Sequence, residues 1–494
     1  MGRFGTFVRS VNRRNISAFF SRVRSKGLRR AIGDVKEYED HCAKIEDNSE
    51  LPMLMELVEP TEDLTIPLTD DPKVSIVIPV YNHYKETYNC IKSVIENTSG
   101  IDYEIIIGDD CSTDETLEIK NQIHNVIVNR NQTNTGFTLN CNNASELARG
   151  DYILFLNNDT LVEEDWLSPL VSLIESDDTI GMVGSKLVYP TGRLQEAGGI
   201  LWSDGSAWNY GNCQDPNLAQ FNYVKETDYI SGAAIMIRRT LFEEIGRFDA
   251  RYAPAYCEDS DLAFEVRKHG YKVVYQPKSV VYHFEGVSNG KVLTAGLKAY
   301  QVVNQSKFME KWRDVLEREH KPNAVDVFHA RDRTIGKETV VIIGNPVSDP
   351  AGCARNAFLH AILFKELGLV VKVLSPESDW ISEYIDRLQQ NGVETVVGSL
   401  SKASWDSWIR ENAEYLDYVF IDGPDGAAEF LDAVKAGTSA KVIYSSDQKN
   451  GKATKAEKKV IRSADYVVAP EVDSDIENWM REAKPVYSAI IGKE

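Results

Sequence analysis

Apolar runs that alternate with helical stretches constrain the fold of this chain more than any other feature. The runs are "KVSIVIPVYN", "YEIIIGDDCSTDET", "NVIVNRNQTN" and "DYILFLNNDT", and segments with helical spacing such as "KETYNCIKSVIENTSG" lie between them. Continuous apolar strands separated by helices indicate a parallel sheet that is covered on both faces. The sequence therefore predicts an α/β protein whose first sheet begins near residue 72.

Size, charge and cysteine content limit the class of protein. The chain has 494 residues, of which 43% are hydrophobic, so it can bury more than one core. Its net charge of −20 argues against nucleic-acid binding, because Lys and Arg drive that binding. Seven cysteines without a CxxC pair are typical of a reducing compartment. No apolar run approaches the length of a spanning helix, so we predict a cytoplasmic globular protein.

Charge is segregated at the N-terminus. Residues 1–33 hold nine Lys or Arg and no acid, whereas residues 34–71 hold 13 acidic and two basic residues. Apolar residues recur at helical spacing in the basic segment, which predicts one or two amphipathic helices. One interpretation is a peripheral anchor on an anionic membrane surface, here the inner face of the plasma membrane. The other is a solvated arm that packs on its own acidic neighbour.

Polar residues follow two of the predicted strands. Asp109 and Asp110 end the run "YEIIIGDD", and Asn157, Asn158 and Asp159 end "DYILFLNND". Ligands of doubly wound sheets bind at the carboxyl ends of the strands, so these side chains should converge on one crevice. Carboxylates and amides form an oxygen-rich site that suits magnesium or manganese bound jointly with phosphate. Taken alone, "NND" is more often a turn.

A second acidic group lies further along, in "CEDSDLAFEVRKHGYKVVYQPKSVVYHFEG". Asp261 is predicted to cap a helix that runs to Gly270, with Glu258 and Asp259 just ahead of its first turn. Capping explains Asp261 but does not require three acids within four residues. His283 by itself is more typical of a core histidine than of a metal ligand.

Several separated motifs together resemble an inverting family 2 glycosyltransferase of the GT-A fold. In order they are "VSIVIPVYN", "DDCSTDET", "NTGF", "LFLNNDT", "SGAAIMIRR", "GRFD" and "CEDSDLAFEVRKHGYKVVYQP", and they span about residues 72–290. The chain is most similar to bacterial enzymes that build O-antigen and other cell-surface polysaccharides, including rhamnosyltransferases. The stretch "RLQEAGGILWSDGSAWNYG" also resembles this subgroup.

The resemblance implies a nucleotide pocket at the end of the first strand. Pro79, Tyr81 and Asn82 would line the pocket. Asp109 or Asp110 would accept a hydrogen bond from the pyrimidine base. The donor implied is a UDP- or dTDP-sugar.

The resemblance also implies a metal site. "NND" takes the place of the DxD motif of the family, so Asn157 and Asn158 would face the nucleotide. Asp159 would bind Mn²⁺ or Mg²⁺ on the donor diphosphate, with His283 as a second ligand. Because Asn157 replaces the first carboxylate of that motif, we expect a weaker metal affinity.

Asp259 matches the catalytic base of the family. Such a base removes the proton from an acceptor hydroxyl while that hydroxyl attacks the anomeric carbon, and this single displacement inverts the configuration. Glu258 and Asp261 would hold the acceptor or orient the loop. The implied acceptor is a growing cell-surface polysaccharide or a lipid-linked glycan.

A second run of alternating elements begins at Glu338. The apolar runs are "TVVIIG", "VVKVLS", "ETVVG", "DYVFIDG", "AKVIYSS", "DYVVAPE" and "PVYSAIIG", which predict a Rossmann-like domain of about seven parallel strands. It resembles the N-terminal half of a GT-B glycosyltransferase. Three interpretations compete: a truncated bifunctional chain, a degenerate domain kept for packing, and a docking module for another transferase. We favour a non-catalytic role.

The predicted organisation has four parts. A basic arm and acidic linker occupy residues 1–71, and the GT-A domain occupies residues 72–295. A helical connector follows at residues 296–336, and the Rossmann-like domain fills residues 337–494.

Two functions from different classes fit this organisation. One is an inverting sugar transferase, and the other is a non-catalytic scaffold of a polysaccharide assembly complex. The joint presence of Asp159, Asp259 and His283 favours the enzyme. A sugar-phosphate nucleotidyltransferase would need a glycine- and arginine-rich loop after its first strand, where this chain has "PVYNHYKET".

Overall fold

The chain divides into two compact units. The computed structural model describes residues 52–284, 298–344, 350–375, 382–397, 402–423, 427–446, 455–468 and 476–493. The basic arm predicted at residues 1–33 lies outside the described residues. The N-terminal unit runs to Pro216 and resumes over Glu226–Arg333, and the C-terminal unit comprises Asn217–Lys225 together with the chain from Thr334.

The elements of the N-terminal unit follow the predicted alternation of strands and helices. Its strands are β1 (Leu64–Thr65), β2 (Val74–Val80), β3 (Tyr103–Asp109), β4 (Ile123–His124), β5 (Ile127–Arg130), β6 (Tyr152–Leu156), β7 (Thr160–Val162), β8 (Ile180–Val188), β9 (Leu194–Glu196), β10 (Gly199–Leu201), β11 (Ala207–Asn209), β12 (Lys225–Glu226, at the unit boundary), β13 (Ala234–Arg238) and β14 (Lys272–His283). Its helices are α1 (Tyr84–Asn97), α2 (Ile119–Gln122), α3 (Phe137–Ser145), α4 (Leu167–Ser176), α5 (Arg239–Ile245), α6 (Glu258–Lys268), α7 (Lys298–Glu319) and α8 (Val327–Ala330).

One large mixed sheet organises this unit. Its strand order is β12-β14-β8-β13-β6-β2-β3-β5, with β7 beside β14 and β9 beside β8. Strands β5, β3, β2 and β6 are parallel neighbours, which confirms the parallel sheet predicted from their apolar runs. Strand β13 instead runs antiparallel to both β6 and β8. The sequence could not show this, because a strand buried on both faces is a continuous apolar run in either direction.

Aromatic side chains fill the core beneath β6. The ring of Phe155 lies 4.9 Å from that of Phe248 and 5.2 Å from that of Phe242, measured between centroids. The three rings are tilted or edge-on to one another, which is the favourable arrangement for aromatic pairs. They anchor the strand whose carboxyl end carries the "NND" residues.

Helix α7 packs on α6 within the N-terminal unit. The rings of Phe308 and Trp312 lie 5.1 and 5.2 Å from the ring of Phe264 on α6. All three side chains are buried. The helix therefore completes the core around α6.

The C-terminal unit is a parallel α/β layer structure. Its strands are β15 (Thr339–Gly344), β16 (Val370–Ser375), β17 (Glu394–Val397), β18 (Tyr418–Asp422), β19 (Lys441–Ser445) and β20 (Tyr466–Val468). Its helices are α9 (Pro350–Glu366), α10 (Ser382–Gln390), α11 (Lys402–Glu411), α12 (Ala427–Gly437), α13 (Lys455–Ser463) and α14 (Ile476–Ile491). The strand order β17-β16-β15-β18-β19-β20 is the doubly wound arrangement, as predicted.

The seventh strand predicted for this unit is wrong. The run "PVYSAIIG" lies mainly in helix α14, which ends at Ile491. Trp479, Ala483, Tyr487 and Ile491 are the buried residues of that helix. They recur every four residues, which is the period of one helix face, and this period outweighs the apolar run at the end of the helix.

Candidate active site

The pairing of β7 with β14 brings two predicted metal ligands together. Strand β7 pairs antiparallel with the end of β14, and Thr160 lies opposite His283. Asp159, the residue before Thr160, is thereby placed with its Oδ1 at 3.3 Å from His283 Nε2. The amide Nδ2 of Asn157 lies 3.4 Å from the same nitrogen. Three of the predicted site residues thus meet at one point.

The surroundings of this pair favour a charged carboxylate. Asp159 is 6% exposed and His283 is 7% exposed. Burial opposes the charged form of Asp159, but the attraction of His283 and local hydrogen bonds outweigh it and hold the pKa of Asp159 below its usual range. The contact with His283 therefore favours the negatively charged form of Asp159.

Gln195 orients the histidine and was missed by the sequence analysis. Its Oε1 lies 3.1 Å from His283 Nδ1. A proton on Nδ1 would be donated to this oxygen, while Nε2 faces Asp159. Metal-binding histidines are commonly held in this way by a partner on the other ring nitrogen. The available signal was the stretch "RLQEAGG".

The residues present fit a divalent ion that is shared with a phosphate ligand. In the described part of the chain, no group of three or more His, Cys, Asp or Glu side chains is placed to hold a metal ion. Asp159 and His283 offer two ligands. Mg²⁺ in nucleotide sites typically takes one or two protein carboxylates and completes its shell with phosphate and water. The donor set is therefore suited to an ion that binds together with a diphosphate.

The loop after β2 is fixed to the loop after β3. Asn82 adopts a left-handed conformation with φ of 57°. Its backbone N–H donates to Ser112 Oγ at 2.8 Å, and its Oδ1 accepts from the backbone N–H of Thr113 at 2.7 Å. Pro79 is buried in β2, whereas Tyr81 is 49% exposed. Of the predicted pocket residues, only Tyr81 has a largely exposed side chain.

The carboxylate of Asp109 supports the same loop. Asp109 is buried and forms an ion pair with Arg130. Its Oδ1 accepts a hydrogen bond from the backbone N–H of Ser112 at 2.8 Å. Because Ser112 in turn binds Asn82, Asp109 stabilises the predicted nucleotide end of the site.

Asn158 points away from its neighbours in the "NND" run. Its side chain is buried, and its Nδ2 donates to Thr87 Oγ1 on α1 at 3.0 Å. The amide of Asn158 therefore ties β6 to α1.

The acids of α6 have three different environments. Asp259 is half-buried, and its Oδ2 accepts from the backbone N–H of Gly232 at 3.1 Å while its Oδ1 accepts from that of Ser260 at 2.6 Å. Burial raises the pKa of Asp259. Glu258 is buried, and burial together with the negative charge of Asp259 raises the pKa of Glu258 to about 8. One carboxylate is thus accessible and the other is held inside the protein.

Asp261 does not cap the helix, which corrects the sequence prediction. Helix α6 begins at Glu258, so Asp261 lies inside it. Its Oδ1 accepts from Trp312 Nε1 at 2.7 Å and from the Tyr252 hydroxyl at 3.1 Å, and it forms an ion pair with Lys311 at 2.8 Å. The carboxylate of Asp261 therefore binds side chains of α7. Helix-capping rules consider only local sequence, so they could not predict this tertiary contact.

The segment 231–233 joins the two acidic groups. The backbone N–H of Asn157 donates to the carbonyl of Ala233 at 2.9 Å. The adjacent Gly232 donates its N–H to Asp259. The same three residues therefore contact both acidic groups. On one side lies the strand end that carries Asp159, and on the other lies the start of α6, which carries Asp259.

Residues 75–246 match the family model described as Glycosyl transferase family 2. This region is a family 2 glycosyltransferase domain. The matched residues include both strand ends with Asp109 and Asp159, and they stop before Asp259 and His283. The family 2 assignment confirms the resemblance found in the sequence.

Two curated relatives of the family 2 domain come from bacteria. The chain is 28% identical over 298 residues to an uncharacterised protein of Sinorhizobium fredii, across 58% of this chain and 32% of that protein. It is 28% identical over 233 residues to the O-antigen biosynthesis protein RfbC of Myxococcus xanthus, across 45% of this chain and 18% of that protein. The matched regions span less than a third of the length of either relative.

Among solved structures, the domain is similar to the crystal structure of GalNAc-T7 with UDP, GalNAc and Mn²⁺. The two chains share 20% identity with a TM-score of 0.40, and the match covers 50% of each.

Within the residues that the structure describes, no helix combines the length and the apolar character needed to cross a membrane.

Proposed function

We propose that the N-terminal unit transfers a sugar from a nucleotide-diphosphate sugar to a hydroxyl group with inversion at the anomeric carbon. One observation supports this proposal above all. The segment 231–233 is hydrogen-bonded both to the strand end that bears Asp159 and to Asp259 itself. One displacement needs a proton acceptor at one end and support for a leaving diphosphate at the other. In this proposal Asp259 is the proton acceptor and Asp159 supports the leaving diphosphate.

Asp259 acts as the base in this reaction. The acceptor hydroxyl gives its proton to Asp259 as its oxygen forms a bond to the anomeric carbon. The bond from that carbon to the diphosphate breaks on the opposite face, and the electron pair leaves with the nucleoside diphosphate. Hydrogen bonds from Gly232 and Ser260 hold the Asp259 carboxylate in place for this transfer.

Asp159 and His283 would hold a divalent cation that binds the donor diphosphate. Mn²⁺ or Mg²⁺ bound there would neutralise the negative charge that develops on the leaving diphosphate. The chain contributes the orientation of His283 through Gln195 and the buried, charged state of Asp159. The 3.3 Å separation of the two ligand atoms supports this assignment.

The acceptor that we propose is a cell-surface polysaccharide or a lipid-linked glycan. The relative from Myxococcus xanthus is named as an O-antigen biosynthesis protein, which supports a glycan acceptor. We place the protein in the cytoplasm and keep the membrane anchor as a proposal for the arm at residues 1–33. For the C-terminal unit we propose a non-catalytic role.

Calorimetric titration with UDP, dTDP and GDP tests the donor site. We expect one nucleotide to bind tightly with Mn²⁺ and weakly after chelation, and we expect Asp159→Ala to abolish the metal-dependent part. The matched control is Asp178→Ala, which removes an exposed carboxylate that is not among the predicted site residues. If no nucleotide binds, the transferase proposal fails and the scaffold function is favoured.

A further inference from the structure

Asp110 lies next to Asp109 but faces a different loop. Asp110 is 3% exposed, and its carboxylate binds residues of the "NTGF" motif and the strand end before it. Its Oδ1 accepts from Asn131 Nδ2 at 2.9 Å and from both the backbone N–H and the hydroxyl of Thr135 at 2.8 Å. Its Oδ2 accepts from the backbone N–H of Gly136 at 2.7 Å.

These bonds leave little capacity for a ligand. A carboxylate has about four lone-pair positions, and protein donors already approach Asp110 with four hydrogens. The side chain is also nearly inaccessible to solvent. A nucleotide base could bind Asp110 only by displacing the bonds that hold Thr135 and Gly136.

The loop that Asp110 holds contacts the segment before the catalytic base. The backbone of Gly136, with φ of +80°, lies so close to Pro254 that an added Cβ would be 2.4 Å from the Pro254 Cβ. The backbone N–H of Thr138 donates to the Pro254 carbonyl at 3.2 Å. Pro254 lies five residues before Asp259, so the loop fixes the approach of the chain to the base.

A second contact reaches the base itself. A Cβ on Gly232 would lie 3.6 Å from Phe137 Cζ and 3.7 Å from Asp259 Cβ. Phe137 and Asp259 therefore flank the glycine whose N–H donates to Asp259 Oδ2. A shift of the loop that leads into Phe137, the first residue of α3, would move this donor and the carboxylate that accepts from it.

From this geometry we propose that Asp110 is a positioning residue for Asp259, acting through Gly136, Phe137 and Pro254, and that it does not bind the nucleotide. The proposal rests on the proposed function, in which Asp259 is the base. It divides two adjacent acids between the two ends of the reaction. Asp109 supports the nucleotide loop through Ser112, and Asp110 supports the base.

The test compares Asp110→Asn with Asp109→Asn in the full chain. The affinity for UDP, dTDP and GDP with Mn²⁺ is measured by calorimetry, and kcat is measured as nucleotide release from saturating UDP-glucose, dTDP-rhamnose and GDP-mannose. For Asp110→Asn we expect kcat to fall about 100-fold with the nucleotide Kd within twofold of wild type. For Asp109→Asn we expect a weaker nucleotide Kd. A weakened Kd with unchanged kcat in Asp110→Asn would overturn the proposal.

A milder pair of variants guards against misfolding. Thr135→Val removes only the hydroxyl that donates to Asp110, and Thr135→Ser keeps it. We expect Thr135→Val to lower kcat without changing the nucleotide Kd and Thr135→Ser to retain wild-type kcat. Equal kcat in these two variants would contradict the proposed link.

Hydrogen exchange separates this inference from the proposed function. The amides of Gly232 and Ser260 donate to Asp259, and we expect both to exchange faster in Thr135→Val and in Asp110→Asn than in wild type. Unchanged exchange overturns the inference. If wild type neither binds nucleotide nor releases it, the proposed function fails while the exchange result still decides whether Asp110 positions Asp259.

Discussion

Asp159 and Asp259 belong to the same edge of one sheet, but their surroundings shift their pKa values in opposite directions. His283 lies 3.3 Å from Asp159 and holds the pKa of that carboxyl below its usual range, although burial opposes the charge. Asp259 has two backbone donors and, among the residues that the structure describes, no cation within ion-pair distance, and burial raises its pKa. In the proposed reaction these environments suit two identical side chains to opposite tasks: Asp159 would keep a negative charge, and Asp259 would take up a proton.

Replacing the proposed base should give the largest effect. We expect Asp259→Asn to lower kcat by about 10²- to 10⁴-fold because the amide cannot accept the proton of the acceptor hydroxyl. The nucleotide Kd should stay at the wild-type value, since Asp259 serves the acceptor side. Steady-state kinetics and calorimetry check both, with Asp178→Asn as the exposed control. Retention of more than a tenth of wild-type kcat would break the comparison.

The raised pKa of Glu258 predicts a pH-dependent stability. The carboxyl stays protonated up to about pH 8 in the folded protein, whereas the unfolded chain loses the proton near pH 4.5. The folded state therefore binds more protons between these values, and stability falls as pH rises through that window, by about 1.4 kcal/mol per pH unit.

Glu258→Gln should remove this dependence. Thermal unfolding of the variant and wild type from pH 5 to pH 8 measures it, and we expect the midpoint of wild type to fall more steeply than that of the variant. Parallel curves would show that burial of Glu258 does not favour its neutral form.

At the proposed metal site, Gln195→Ala tests the orientation of His283. We expect the affinity for Mn²⁺ in the presence of nucleotide to fall by about 10- to 100-fold, which is typical when the partner of a metal-binding histidine is removed. Nucleotide binding without metal should not change. Calorimetric titration of Mn²⁺ into the nucleotide complex checks this, and wild-type metal affinity in the variant would remove Gln195 from the site.

The smallest effect should come from the third acid of α6, which acts in packing. Trp312→Phe removes the hydrogen bond from Nε1 to Asp261, and we expect the free energy of unfolding to fall by about 1.5 kcal/mol. Urea denaturation measures this change. Tyr252→Phe, which removes the longer bond to the same carboxylate, should cost less. If Trp312→Phe left stability unchanged, Asp261 would not have the structural role assigned to it.

Most of the secondary structure was readable from local pattern, because strands buried on both faces and amphipathic helices have different periods. The helix that contains "PVYSAIIG" was missed because its β-branched run suggested a strand, while its four-residue period extends further back to Trp479. The direction of β13 could not be read at all. Pattern reports burial and period, and strand direction depends on where the chain enters the sheet.

Within the site, the motifs located Asp159, His283 and Asp259, and the structure sets the first two side by side. They did not locate Gln195, because a single glutamine in a short strand has no distinctive spacing. They also did not separate Asp109 from Asp110, since adjacent residues of the same type carry the same local information.

The amino-acid order determined which elements form and which chemical groups end them, since periodicity, β-branched runs and acidic residues are local properties. Only the tertiary structure decided what each acid does. His283 reaches Asp159 through the pairing of β7 with β14, and Asp261 meets Trp312 on α7. The charge state and hydrogen bonds of each acid depend on neighbours that are distant along the chain. Chemically identical side chains therefore differ only once the folded sheet brings these neighbours together.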